Sequence, residues 1–250
     1  MKSHILKLLK KLSDPKNFLL YLSSKEGAEE SFWKQEIQKY QLWLEGTIPI
    51  LYNTHSPSPK NIVKGANLKD TSILTWHKLH QEAKYLDDLQ LNPDIFKGKK
   101  VLDIGSGPIP SATCFTDADI FCLEPLLHRY LQVGFPLHYY NNVKYIHSGS
   151  ECIPVADNTF DAIISVNAID HVNDIQITSD EIKRVLKPDG LFRMHVHYHP
   201  KTRAEPISFS DEYFKATFDW CKNLYKVSES RENFSASLQG FERYVLWSNF

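Results

Sequence analysis

The chain has 250 residues, 42% of them hydrophobic and 24% charged, with a net charge of −1. That length holds one large α/β domain with an appendage but not two full domains, and so balanced a charge excludes the footprint of a general nucleic-acid binder. No apolar run approaches the about 20 residues that span a bilayer, and Cys114, Cys122, Cys152 and Cys221 form no C-x-x-C pair or zinc spacing, so they read as buried or partly buried free thiols of a reducing compartment, with the cytoplasm as the default location.

Residues 1–12 are basic and amphipathic, without the long apolar core and cleavage site of a signal peptide. They read as a helix that docks on the domain or a partner, with weak contact to a membrane surface as the alternative. Asp14-Pro15 ends that helix, because proline cannot continue the backbone ladder. A second helix is expected over 29–44, where Phe32, Trp33, Ile37, Tyr40 and Leu44 recur at helical spacing. Pro49, Pro57, Pro59 and Gly65 then make residues 47–67 an extended loop, either a flap or a strap across the surface. A third helix spans 72–89, capped by Asp70 or Thr71. Trp76 and His77 on it, with Tyr52 in the loop, are candidates for a lid, although Trp33, Trp43 and Trp76 are read first as core. Residues 1–72 thus form a helical extension with a proline-rich loop, and 73–250 the main domain.

From residue 100 strands and helices alternate. Strands are expected at 101–104, 120–123, 143–146, 160–166 and 191–197, with helices at 126–133 and 175–186 and a turn at Lys187-Pro188-Asp189-Gly190. Such alternation predicts an α/β fold, a doubly wound and mostly parallel sheet covered by helices on both faces. The tail adds a helix over 211–222 capped by Ser210 and an antiparallel pair of strands at 224–230 and 241–247.

The first of these strands carries the chemistry. Val101-Leu102-Asp103-Ile104 runs straight into Gly105-Ser106-Gly107, a buried strand that ends in a turn able to bring its backbone close to a ligand. Glu124 ends the second strand, about 20 residues beyond the first glycine, where a carboxylate can accept both hydrogen bonds of a ribose diol. Pro110 occupies the place of the third glycine of a dinucleotide fingerprint, which ranks an NAD(P)-dependent oxidoreductase as an alternative only.

With Leu123-Glu124-Pro125, the 148–155 segment, Asn167-Ala168-Ile169-Asp170-His171-Val172 and the 186–190 turn following in order, the chain resembles the class I S-adenosylmethionine-dependent methyltransferases over roughly residues 73–250. The resemblance implies a Rossmann-like sheet of seven strands with an antiparallel C-terminal strand, and S-adenosylmethionine as cofactor. It implies that Asp103, Gly105 and Gly107, with Ser106 between them, line the methionine end, and that Glu124, next to Pro125, holds the ribose hydroxyls. Gly149, Ser150 and Glu151 border the adenine, and Asn167 lies near the amino-acid portion. The family often has an aspartate where Gly149 stands, so its bond to the adenine amine is missing or replaced here.

A methyl acceptor that is a hydroxyl must lose a proton, for which histidine is suited. The resemblance puts His171 near the reacting methyl. His195, His197 and His199 share one face of the fifth strand, which makes His197 and His199 alternative bases, or the trio a metal site; no metal is assigned. Arg203 and Glu205 bind an acceptor or form a solvated loop. The expected function is methyl transfer to a small-molecule or sugar/glycan acceptor, preferentially at a hydroxyl. A non-catalytic cofactor-binding scaffold or partner subunit is the alternative.

Overall fold

The structure is a computed structural model that describes residues 25–51, 54–232 and 242–250; the readings for residues 1–12 and Tyr52 lie outside them. A short antiparallel ribbon comes first, β1 (Ile50–Leu51) with β2 (Thr54–His55). Seven strands then form the central sheet: β3 (Lys100–Ile104), β4 (Asp119–Leu123), β5 (Lys144–Ile146), β6 (Phe160–Val166), β7 (Leu186–Tyr198), β8 (Tyr225–Ser230) and β9 (Arg243–Ser248). Their order is β5-β4-β3-β6-β7-β9-β8. The first five of the sheet are mutually parallel, and β9 alone runs antiparallel, inserted between β7 and β8. The antiparallel strand is therefore the last in sequence but not the edge of the sheet.

Both faces of the sheet are buried, which is why β3 and β6 read as near-continuous apolar runs. Alternate residues supply opposite cores, as the two-residue period of a strand requires. A peripheral cluster joins α1 (Lys25–Leu44) to α2 (Leu68–Trp76), and through Tyr40, Trp43, Trp76, Ile109 and Tyr130 it reaches α4 (Leu127–Val133), which follows α3 (Glu82–Leu89) in the chain. Tyr40 and Trp76 stack with ring centroids 4.2 Å apart. Leu102, Ile104, Ile163, Phe192 and Met194 pack on the side of α5 (Ile175–Val185) and α6 (Asp211–Thr217). Val101, Ile120, Ala162 and Ile164 pack on the opposite side against Tyr85, Leu89 and Phe96.

Several local expectations shift. The α2 helix begins four residues early, because the Asn67 side chain, and not Asp70 or Thr71, accepts the Asp70 N–H at 2.9 Å. It continues through a π-helical turn (His77–Gln81) into α3, so position 72/73 lies inside one helical rod. Within 47–67 the described residues form a strap: Val63 N–H donates to Thr75 Oγ1, Gly65 N–H to Thr71 Oγ1 and Ala66 N–H to the Tyr139 hydroxyl. The β1–β2 ribbon punctuates it. The 187–190 turn is a bulge within β7: Phe160 pairs with Leu186 and Ala162 with Leu191, so four residues loop out opposite Asp161. The α6 helix stops at Thr217, capped as expected by Ser210, whose Oγ accepts the Tyr213 N–H. All four cysteines are unpaired, and Cys152 is exposed rather than buried. Among the described residues no helix is long and apolar enough to cross a membrane.

Candidate active site

The carboxyl ends of β3, β4 and β6 open onto a cavity of about 730 Å³. Its floor is the glycine turn. Gly105 and Gly107 have φ of +68° and +69°, a region that L side chains rarely occupy. A Cβ on Gly105 would fall 2.3 Å from the Ala168 Cβ, so this turn packs directly under the segment that follows β6. A Cβ on Gly107 would meet nothing within 4 Å, which leaves a cradle of open space above the turn.

Glu124 is buried against that turn. Its Oε2 accepts the Gly107 N–H at 3.0 Å and its Oε1 the Leu126 N–H at 2.9 Å. Each carboxylate oxygen has two lone pairs, so a held carboxylate keeps acceptor capacity for a diol. Ser106, Pro125, Gly149, Ser150, Glu151, Asn167 and His171 share the wall with Gly105, Gly107 and Glu124. The Glu151 Oε2 lies 2.7 Å from where a Gly149 Cβ would stand, and its Oε1 accepts the Asn173 N–H at 2.7 Å. The Glu151 carboxylate thus occupies the space that a side chain at 149 would fill. Asn167 stands at φ +51°, and its Oδ1 lies 3.0 Å from His195 Nδ1; since Oδ1 only accepts, His195 Nδ1 is the donor.

Asp103 is not in the cavity wall. It is buried one layer below, where the Tyr85 hydroxyl donates to its Oδ1 at 2.6 Å and its Oδ2 has no partner. Burial pushes its carboxyl up to about 7; the Tyr85 bond works against that shift, and the nearby Glu124 charge adds to it. Tyr85 itself does line the cavity, so Asp103 reaches the site through that ring.

His171 sits in a short 3₁₀ turn (Ile169–His171) and reaches the cavity between two carboxylates. Its Nδ1 is 3.6 Å from Glu29 Oε1 and its Nε2 is 3.8 Å from Glu205 Oε1. His195, His197 and His199 do share a face, in a ring ladder with Tyr244: Tyr244 lies 5.2 Å from His195 and 5.0 Å from His197, and His197 lies 4.7 Å from His199. None of the three lines the cavity. Burial lowers His197, whose Nε2 has no hydrogen-bond partner. Both ring nitrogens of His199 are engaged, Nε2 with Asp170 Oδ2 at 3.1 Å and Nδ1 with the Pro200 carbonyl at 2.6 Å. Arg203 is exposed, whereas Ala204 and Glu205 reach the cavity.

Apart from Trp76, a lid candidate from the sequence, the rest of the wall escaped sequence reasoning. Ala28, Glu29, Phe32 and Trp33 of α1 cover the opening, and Trp76, Gln81, Lys84 and Tyr85 line it from the helical rod. The π turn explains the second group: an i to i+5 step aligns Trp76 with Gln81, a spacing that an α-helical period of 3.6 hides. Lys84 is bound to Asp88 at 2.6 Å.

Comparison with known proteins agrees with this geometry. Residues 102–194 match the family model described as a methyltransferase domain. The chain is 32% identical over 122 residues to a sterol 24-C-methyltransferase of Gibberella zeae, a match covering 45% of this chain and 31% of that protein. It is 31% identical over 120 residues to a ubiquinone/menaquinone biosynthesis C-methyltransferase of Haemophilus ducreyi, covering 45% and 46% respectively. The chain therefore spans less than half the length of these curated relatives. A solved Thermotoga maritima structure described as a SAM-dependent methyltransferase shares the fold at a TM-score of 0.50 and 16% identity, covering 71% of this chain and 95% of that one. With its glycine turn, its strand-end Glu124 and its sheet order, the segment that matches the methyltransferase-domain model is similar to the class I S-adenosylmethionine-dependent methyltransferases.

Proposed function

We propose that the chain transfers a methyl group from S-adenosylmethionine to a small-molecule acceptor, a sugar or glycan hydroxyl in the first instance, with His171 as the general base. The observation that carries this reading is the placement of Glu124 and His171 in one cavity, the first on a turn with open space above it and the second between Glu29 and Glu205. When bound, the cofactor supplies an electrophilic sulfonium methyl group; the remaining tasks fall to this chain.

Glu124 holds the ribose diol with the same carboxylate oxygens that accept the Gly107 and Leu126 N–H groups. Gly105 and Gly107 let the backbone approach the methionine end, and Tyr85, braced by Asp103, sits behind it. Glu151, filling the space at Gly149, takes the place of the family's adenine-side carboxylate. Among the described residues the wall carries carboxylates at Glu29, Glu124, Glu151 and Glu205 but only Lys84 as a lysine or arginine, already bridged to Asp88. That excess of negative charge complements a cationic cofactor. The α1 helix, through Phe32 and Trp33, excludes water from the acceptor side, and His171 removes the acceptor's proton as the methyl arrives.

Transfer of tritium-labelled methyl groups to a panel of sugars, lipid-linked glycans and phenols tests the reading. Because the relatives named above are C-methyltransferases, sterols and quinone precursors belong in the same panel as a second reading, that of a carbon acceptor. Labelling of a carbon rather than an oxygen would overturn the hydroxyl assignment and retain methyl transfer.

A further inference from the structure

Asp170 and His199, behind His171, do not line the cavity, yet they are tied to one another. Asp170 is the middle residue of the 3₁₀ turn, and its side chain points away from the cavity, 1% exposed, to meet a His199 side chain that is 2% exposed. The Pro200 carbonyl can only accept, so His199 Nδ1 must be a donor. His199 Nε2 faces Asp170 Oδ2. The geometry therefore holds one proton beyond a neutral ring and an ionised carboxylate, as an imidazolium–carboxylate pair.

This pair stands at the root of a loop, residues 200–208, that returns to the same place. The Ser208 hydroxyl donates to the His199 carbonyl at 2.5 Å, and Ile207 N–H donates to the Asp170 carbonyl at 3.2 Å. Within the loop, Thr202 N–H donates to the Glu205 carbonyl, Glu205 N–H donates to Thr202 Oγ1, and Thr202 Oγ1 donates to Glu205 Oε2, each at 3.0 Å. The result is a tight turn that aims Glu205 at His171 Nε2.

We propose that the buried Asp170–His199 pair is a positioning pair for the reaction assigned above: it locks the 200–208 loop onto the 3₁₀ turn and so sets Glu205 and Ala204 in the cavity wall opposite His171. The pair acts through the loop and touches neither cofactor nor acceptor. It rests on the proposed methyl transfer only for its purpose, since the lock itself is a property of the folded chain.

The charged and titratable groups that face His199 are Asp170 from the 3₁₀ turn, Glu205 from the loop, with Oε2 3.9 Å from Nδ1, and His197 from its own strand. Glu242 stands beyond, 3.9 Å from His197 Nε2. The Asp170 bond, opposed by burial and aided by the Pro200 carbonyl and Glu205, raises His199 to about 9. The lock therefore holds at neutral pH and opens as alkali removes its proton.

Lys201 and Arg203 are exposed on this loop and give trypsin two sites inside it. The test is the rate of cleavage after these residues in the folded full chain, from pH 7.5 to 10, each rate normalised to trypsin's rate on a small peptide. The wild type should be cut slowly at pH 7.5 and at least tenfold faster by pH 10. Asp170→Asn and His199→Gln should be cut fast at every pH, while their dissociation constants for S-adenosylmethionine stay within threefold of the wild type. A wild-type rate that is flat across the range, or variants cut at the wild-type rate at pH 7.5, would overturn the proposal. Where a variant does not fold, the wild-type profile decides alone. Failure of the wild type to bind S-adenosylmethionine would count against methyl transfer, and the cleavage profile would still decide whether the lock exists.

Discussion

At the scale of single residues, the same carboxyl group does different work according to its burial and partners. Glu124 and Asp103 both belong to the signature read from the sequence. Glu124 stands in the cavity wall with each oxygen on a backbone N–H; Asp103 lies below it, tied to Tyr85 and half unsatisfied. Spacing along a strand gave both an address at the strand end, but only tertiary packing decides which of two nearby carboxylates faces the ligand. The same holds for the histidines. A shared strand face was legible for His195, His197 and His199 from their two-residue interval, whereas the partners that occupy His199 come from residues 170 and 200. His171 is left as the histidine in the wall. His171→Ala should lower the methyl-transfer rate by about 10²–10⁴-fold, the usual contribution of a general base, with cofactor affinity unchanged. Equal losses in rate and in cofactor affinity, read by single-turnover kinetics and calorimetry, would make its role structural.

At the scale of elements, the central strands of the sheet were legible because they are buried on both faces and bounded by turn residues; β6 was located end to end. The first covering segment after β3 is a single 3₁₀ turn (Ser111–Cys114). The α1 cap and the π turn were not legible as parts of the site. Phe32 and Trp33 fit a core-facing stripe as well as a cavity wall, and nothing in a helical period marks where one residue has been inserted. The glycine turn separates folding from binding. Gly105→Ala should destabilise the fold by about 2–5 kcal/mol, from positive φ together with overlap on Ala168. Gly107→Ala, with open space around its Cβ, should cost only about 1–2 kcal/mol and act mainly by obstructing the cradle. Urea denaturation with equal m-values compares the two directly, and equal midpoints would remove Ala168 as the neighbour that restricts position 105.

At the scale of the whole molecule, buried titratable groups give the stability a predictable dependence on pH. Burial lowers His77 to about 3 and both His80 and His195 to about 4. The unfolded chain takes up protons near the usual 6.5 while these stay neutral in the native state, so stability falls as pH drops from about 6.5 to 4. Asp103 acts oppositely in part of that range: held up to about 7, it keeps a proton that the unfolded chain has released, so its contribution declines as pH rises from about 4 to 7. His199 at about 9 contributes stability that is complete below 6.5 and lost as pH rises through 9. With these three histidines and His197, which burial also lowers, against one aspartate on the acid side, the melting temperature should be greatest near pH 6.5–7 and fall on both sides. His199→Gln should flatten the alkaline limb and leave the acid limb in place; a variant with an unaltered alkaline limb would show that other groups set it.

The proposed methyl transfer depends most on the cavity being built for S-adenosylmethionine, with Glu124 as the proposed ribose carboxylate. Isothermal titration of S-adenosylmethionine into the folded protein, beside NAD and beside the Glu124→Ala variant, tests that directly. The expected result is one site per chain for S-adenosylmethionine, tighter than NAD, and weakened by about 1–3 kcal/mol in Glu124→Ala, the cost of hydrogen bonds lost to a charged group. A folded wild-type protein that takes up no S-adenosylmethionine, or that binds it with the same dissociation constant once Glu124 is replaced, would contradict it.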